Sequence, residues 1–413
     1  MPAETSTTRT VDQHLARILD LVSPLPPYEQ PLLEALGLPL CEDVVSGIDL
    51  PGFDNSAMDG YAVRSEDVVE ASAEQPCVVP VVGESAAGQT KAYALSSGTA
   101  VRIMTGAPMP VGADAVVPIE WTNRGVASVA IYQAPRRGEH VRLRGDDVET
   151  GDLLLTEGTL LGPRQVGLLA AVGRAQVLSS PRPRVVVIST GSELREPGTE
   201  LGFDSIYDAN SHLIAAAARS IGAIAYRVGI VPDDPRLFSD TLSDQLVRAD
   251  LVVTSGGVSK GDYDIVKDVL SRLGTVDFYE VAMQPGKPQG FGTVGEDSTP
   301  IFTLPGNPVS SYVSFEVFVV PAIRRMMSRP PYRRPLVHAA CTTTFSSHRG
   351  KRQFVRAAFE LGAEGARATP VGGHGSHLVG DLAHANALIV VPEDTLEVAS
   401  GDTVEVMVLD REF

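Results

Sequence analysis

The sequence is poor in what several protein classes need. Of its 413 residues only three are cysteines, Cys41, Cys77 and Cys341, and they lie far apart. No paired spacing for zinc exists, the count argues against a disulfide framework, and it fits a reducing compartment. Basic residues are the minority, 34 against 51 acidic, for a formal net charge of −17. That balance disfavours non-specific binding to nucleic acid or to an anionic membrane surface. No run approaches the ~18 apolar residues of a membrane span, and residues 1–10 lack the apolar core of a signal peptide. The dinucleotide fingerprint, the P-loop and the nucleophile elbow of serine hydrolases are all missing. What remains is a cytoplasmic, enzyme-sized chain, too long for one ordinary core, in which two to four domains are expected.

After a Thr/Ser-rich tail, the apolar stripe Leu15, Ile18, Leu19 and Val22 predicts a helix that Pro24 ends. A shorter helix is expected over about 29–36, stopping at Gly37. From Leu50 to about Asp147 short apolar runs alternate with Gly, Pro and Ala turns, which describes a small β domain. Two loops in it, 51–62 (PGFDNSAMDGYA) and 102–110 (RIMTGAPMP), read as a binding rim. Pro163 opens a helix that, with the first two helices, makes the β domain an insertion. From Arg184 strands and helices alternate, which predicts a parallel sheet covered on both faces. After Pro330-Pro331 the chain returns to strands and predicts a compact β-barrel.

The chemistry-bearing residues cluster where the strands of the α/β part end, the edge at which such sheets bind ligands. Central to them is the stretch 254–264 (TSGGVSKGDYD). Its Gly256, Gly257 and Gly261 permit close backbone approach, Ser255 and Ser259 offer hydroxyls, and Asp262 and Asp264 offer acceptor oxygens. Glu193, Asp208 and Asp233 are further carboxylates at strand ends, and Lys287 is one cation. Carboxylates alone would repel a phosphate, so a divalent cation is implied, most simply magnesium. Asn307 as a cap and Pro308 at the first helical position would leave the amides of Val309 and Ser310 open as an oxyanion site. Either Asp233 or Asp234 would cap the helix that Pro235 opens. His374, His377 and His384 lie in a Gly-rich setting without acidic or Cys partners, so a loop or substrate-contact role outweighs a metal role.

Seven motifs, PGFDNSAMDGYA, RIMTGAPMP, RGDD at 144–147, TGSEL at 190–194, TSGGVSKGDYD, PGKP at 285–288 and PGNPVS at 305–310, resemble the MoeA / gephyrin E-domain family in order and spacing. The resemblance implies an α/β multidomain protein: an elongated linking domain (1–50 with 148–180), an inserted β domain (51–147), an αβα molybdopterin-binding domain (181–330) and a C-terminal β-barrel (331–413). It implies a homodimer, in which the inserted domain of one subunit reaches the αβα domain of the other. It also implies a molybdopterin adenylyltransferase as upstream partner, and molybdoenzyme apoproteins or chaperones downstream. The implied reaction inserts molybdate into adenylylated molybdopterin with magnesium-dependent release of AMP. On that resemblance Asp59, Thr105 and Asp147 belong to the inserted domain's share of the site. Glu193, Asp233 and Asp264 serve the metal and the adenylate-cleaving step. Lys287 and Ser310, with Lys351, Arg352 or Arg356, hold molybdate. Ser255, Gly256, Gly257, Ser259, Asp262, Pro305, Asn307, Pro308 and Ser376 line the cofactor. Where family members often carry Lys, this chain has Gln284, which is expected to weaken oxyanion binding. A second reading is a non-catalytic paralogue or scaffold that binds molybdopterin or peptide partners.

Overall fold

The computed structural model describes residues 8–86, 88, 93–256, 265–273, 275–373 and 375–410. They fold into two compact units. One is formed by the described residues of Met1–Glu29, Gly37–Cys41 and Leu178–Phe413, the other by Gln30–Leu36 and Glu42–Val177.

The larger unit is built on a six-stranded sheet. Its strands are β1 (Arg184–Ser189), β2 (Ile224–Arg227), β3 (Leu251–Ser255), β4 (Val276–Glu280), β5 (Pro288–Val294) and β6 (Thr299–Leu304), in the order β2-β1-β3-β6-β5-β4. The first four in that order are parallel. They read as unbroken apolar runs because helices cover both faces; Val185–Ile188 and Leu251–Val253 are fully buried. The expectation of a wholly parallel sheet is corrected at one edge, where β5 runs antiparallel to both β6 and β4. Only Gly295–Ser298 separate β5 from β6, far too few residues for a parallel crossover. The reversal matters for function: it brings the start of β5, with Lys287 just before it, to the edge where the parallel strands end.

The helix Val11–Leu21 forms as expected. Thr10 and Gln13 make a reciprocal capping box, and Val11, Leu15, Ile18 and Val22 enter the main core. The helix expected over 29–36 does not form. Tyr28–Pro31 is extended, and Pro31 begins one isolated turn, with Ala35 N–H on Pro31 O at 3.1 Å. Pro31 has no donor and drives the residue before it away from helical geometry. Asp234 caps the helix Pro235–Leu246 through bonds from the N–H groups of Arg236 and Leu237 at 2.8 and 3.0 Å. A buried helix runs from Pro308 to Met326 with a π-helical turn at Phe315–Val319.

The barrel closes in the order Arg352–Gly362, Gly365–Pro370, Leu336–Cys341, Thr403–Val408, Ala387–Val391, which returns to Arg352–Gly362. Sequence reading missed Gly365–Pro370, an alternating and Gly-bounded strand. In the smaller unit the five-stranded sheet includes Cys77–Ser85, Ala100–Ile103, Ala115–Pro118 and Ser128–Ile131 as expected. Its fifth strand, Gly60–Val63, begins inside the motif 51–62 taken for a loop; all four residues are buried. It follows a Gly-, Asn- and Asp-rich run that carries turn signals, and with all four residues buried it shows no alternation.

Candidate active site

In the larger unit the site is assembled at the carboxyl edge of the sheet. Beyond β1, Ser192 N–H donates to Asp233 Oδ2 at 2.9 Å, and Asp233 N–H donates back to Ser192 Oγ at 3.2 Å. The Glu193 carboxylate folds over Gly191 so closely that a β-carbon there would lie 2.6 Å from Oε2. A side chain at Gly191 would displace that carboxylate and strain the backbone, whose φ is 150°. Two exposed carboxylates, Glu193 and Asp233, thus flank Ser192; of the two aspartates before Pro235, Asp233 is the one that does not cap the helix. Below them Asp208, 1% exposed, accepts from Ser189 Oγ and Ser211 N, both at 3.0 Å. Arg227 holds Glu196 with bonds of 2.9 and 2.7 Å and lies 3.9 Å from Asp208, which fixes the strand Leu194–Arg195 against the sheet. That cation lowers the Glu196 carboxyl below its usual range and raises Arg227 in turn. Nothing local in the sequence marks Arg227 for this role.

Ser255 ends β3, buried. Gly256 (φ 93°) follows, with its β-position 3.2 Å from Thr190 O, so a side chain there would be strained. Asn210 donates to Ser255 Oγ at 2.7 Å and to Gly306 O at 2.6 Å. Gly257, Ser259, Asp262 and Asp264 lie outside the described residues, as does His374.

A pocket lies where the barrel meets the sheet edge, lined by Gln284, Pro285, Val309, Gln353, Arg356 and Ser376 among others. Met283–Gln284 pairs in parallel with Arg352–Gln353, which sets Gln284 beside Gln353. Arg356, 5% exposed, spends its donors on backbone: Gly375 O at 3.2 Å, Leu378 O at 3.1 Å and Gly373 O. Burial pulls its guanidinium below the ordinary arginine value. Asn307 sits at the helix start beside Pro308, but its side chain does not cap; it donates to Ser376 Oγ at 3.0 Å. The expectation of two open amides is corrected at Val309, whose N–H goes to Ser376 O at 3.1 Å. Ser310 is buried in the same turn, two residues past Pro308.

The nominated cations are unequally placed. Lys287 pairs with Glu280 at 2.8 Å and does not line the pocket. Arg352 is committed to Asp12 at 2.8 Å and Glu393 at 3.0 Å. Lys351 is half-buried, and His377 and His384 stand outside the pocket lining. Of the cations nominated from the sequence, Arg356 is the one that reaches the pocket wall.

In the smaller unit the three nominated loops interlock. Asp59 Oδ1 accepts from Thr105 N and Thr105 Oγ1, both at 2.7 Å, and Gly106 N–H bonds Ser56 O at 2.8 Å. Arg144 N–H bonds Asp54 Oδ1 at 2.8 Å, and Gly145 N–H bonds Pro51 O at 3.0 Å. Asp147 is exposed, its N–H on Leu50 O at 2.9 Å. Thr105's amide, then its hydroxyl, hold the Asp59 carboxyl below the usual range. A depressed carboxyl favours the folded loop above its unfolded value, near ~3.9, and loses that contribution as pH falls through the folded value. Thr105→Ala keeps the amide and removes the hydroxyl. A carbon-detected NMR titration of Asp59 is expected to move upward in this variant, towards but not reaching ~3.9; an unmoved midpoint would show that the hydroxyl contributes nothing.

No group of three His, Cys, Asp or Glu side chains gathers among the described residues. Glu193 and Asp233 nevertheless supply hard oxygen donors about one turn. That set suits a magnesium ion that keeps waters and phosphate oxygens for its remaining positions.

Three family models match the chain in succession. They are the MoeA N-terminal region (domain I and II) over 9–173, a probable molybdopterin binding domain over 186–325, and the MoeA C-terminal region (domain IV) over 338–409. The molybdopterin molybdenumtransferase 2 of Mycobacterium tuberculosis (strain ATCC 25618 / H37Rv) is 46% identical over 404 residues, spanning 96% of this chain and 99% of that protein. The molybdopterin molybdenumtransferase of Haemophilus influenzae is 35% identical over 402 residues, spanning 96% and 98%. Among solved structures, a molybdopterin biosynthesis moeA protein from Pyrococcus horikosii superposes with a TM-score of 0.81 at 33% identity, over 98% of this chain and all (100%) of that one.

Proposed function

Because this chain belongs to the MoeA family of molybdopterin molybdenumtransferases, we propose that it inserts molybdate into adenylylated molybdopterin and releases AMP. The observation that carries the reading is the pairing, along one sheet edge, of an acidic turn at Glu193 and Asp233 with a polar pocket at Gln284, Arg356 and Ser376. Glu193 and Asp233, with Asp264, would hold magnesium, which when bound offsets charge on the phosphate being cleaved. Ser255, Gly256 and Asn307 line the approach to that turn through backbone and hydroxyl groups. Arg356 keeps the 373–378 loop in place and faces the oxyanion, while Ser376 and Gln284 offer neutral hydrogen bonds to it. Asp59, Thr105 and Asp147 are the inserted region's contribution to a homodimeric enzyme. The four-part division read from the sequence, a cytoplasmic setting and an upstream adenylyltransferase belong to the same proposal. No helix among the described residues is long and apolar enough to cross a membrane.

AMP release from adenylylated molybdopterin, measured with magnesium across a molybdate titration, tests the reading. Release is expected to depend on molybdate; none, or release indifferent to molybdate, would remove it. Gln284→Lys adds a charge at the pocket wall and is expected to lower the half-maximal molybdate concentration about fivefold, corresponding to roughly 1 kcal/mol. An unchanged titration would place residue 284 out of contact with the oxyanion.

A further inference from the structure

Two asparagines join the ends of this site. Asn210, which opens the helix Asn210–Ser220, forks through Nδ2 to Ser255 Oγ at 2.7 Å and Gly306 O at 2.6 Å. Asn307, adjacent to Gly306, continues the line to Ser376 Oγ at 3.0 Å, and Ser376 O receives the Val309 N–H at 3.1 Å. Arg356 pins the same loop through Gly373, Gly375 and Leu378. The backbones at Gly256 and Gly306 pass so close that a β-carbon on Gly306 would lie 3.8 Å from the α-carbon of Gly256. One continuous line of contacts therefore runs from Ser255 and Gly256, at the end of β3, to the pocket wall.

The side chains in this line are neutral. A carboxamide holds hydroxyl and carbonyl oxygens without burying a charge, and its planar fork fixes the angle between two acceptors. The Oδ1 of Asn210 is buried without a hydrogen-bond partner among the described residues. A buried polar atom left unsatisfied costs stability, so packing alone does not account for an amide here. Its donors do: they are the link between the Ser255 and Gly306 loops.

We propose that Asn210 and Asn307 are positioning residues that couple the nucleotide end of the site, at Ser255 and Gly256, to the oxyanion pocket at Gln284, Arg356 and Ser376, so that filling one end tightens binding at the other. The identity of the two ligands rests on the proposed function. The coupling itself rests on the bonds.

Calorimetric titration of the full-length protein with molybdate, with and without saturating AMP and magnesium, reads the coupling without turnover. Wild type is expected to bind molybdate at least about fivefold more tightly with AMP present, at the lower end of usual coupling factors. Reciprocity demands the same factor for AMP affinity when molybdate is present, so the two titrations check one another. Asn210→Ser, too short to span both acceptors, is expected to reduce the ratio below about twofold while each ligand alone binds within about threefold of wild type. Asn307→Ala breaks the line at its other end and is expected to lower the ratio as well, and it carries the test if Asn210→Ser fails to fold. A wild-type ratio near one, or a ratio preserved in the folded variants, overturns the coupling and leaves the proposed function standing. Failure of wild type to bind either ligand counts against the proposed function, and the coupling falls with it.

Discussion

Asp233→Asn is expected to lower molybdate-dependent AMP release on the order of 100-fold or more, the usual loss when one charge-stabilising group is removed from a reacting centre. The replacement has the same shape. Its Oδ1 can still accept the Ser192 N–H that Asp233 now receives at 2.9 Å, so the turn keeps its geometry and only the charge is lost. Nucleotide binding is expected to persist, because Ser255 and Gly256 do not depend on that charge. Its neighbour provides the contrast. Asp234 caps a helix with two backbone bonds at 2.8 and 3.0 Å, so Asp234→Ala should cost roughly 0.5–2 kcal/mol of stability and leave turnover within a few-fold. Steady-state AMP release with a magnesium titration, beside thermal melting, separates the two. Turnover by Asp233→Asn within tenfold of wild type, taken as about 1.4 kcal/mol, would remove Asp233 from the metal side of the site.

The largest effect on stability is expected from Arg334→Leu. Arg334 Nε donates to Glu316 Oε2 at 2.6 Å, and the two side chains are only 5% and 2% exposed. Glu316 stands in the π-helical turn Phe315–Val319, with the Tyr312 hydroxyl also bonded to it. Removing one partner strands a buried charge, which costs about 3–5 kcal/mol, whereas replacing both by apolar side chains is often near neutral. Glu316→Leu in the Arg334→Leu background should therefore recover most of the loss. Burial already pushes the Glu316 carboxyl up, and Arg334 opposes that push. Without Arg334 its folded value rises further above the unfolded one, near ~4.3. The folded state then takes up the proton, so the penalty is small below the unfolded value and grows as pH rises towards the folded one. Urea denaturation followed by circular dichroism at pH 5 and pH 8 checks both points. A single variant as stable as wild type, or a loss that shrinks with rising pH, would contradict the account.

Much of the architecture was legible in the residues. The parallel strands are buried on both faces, so they announce themselves as apolar runs, and Asp234-Pro235 and Asn307-Pro308 mark helix starts. The motifs at 190–194, 284–288 and 305–310, and the start of the one at 254–264, follow or end strands, and the strands' direction brings them to one edge. Local signals misled where they were ambiguous: Pro31 prevented the helix over 29–36, and Gly60–Val63, buried throughout, has no alternation to set it apart from the turn residues before it.

By itself the sequence determined the buried parallel strands and the starts of the helices at Pro235 and Pro308, the family to which the chain belongs, and which residue types would stand at the sheet edge. These follow from local propensity, from burial patterning and from motifs a few residues long. Only the tertiary structure decided how those residues share their bonds. It assigned Asp234 to the helix and left Asp233 to the turn, paired Lys287 with Glu280, gave the Val309 amide to Ser376, and set Arg356 against the 373–378 loop. It also placed Asn210 between partners 45 and 96 residues away along the chain. A hydrogen-bonding group takes whichever complementary atom lies within about 3 Å. Which atom that is depends on how distant segments pack, and spacing along one chain does not encode it.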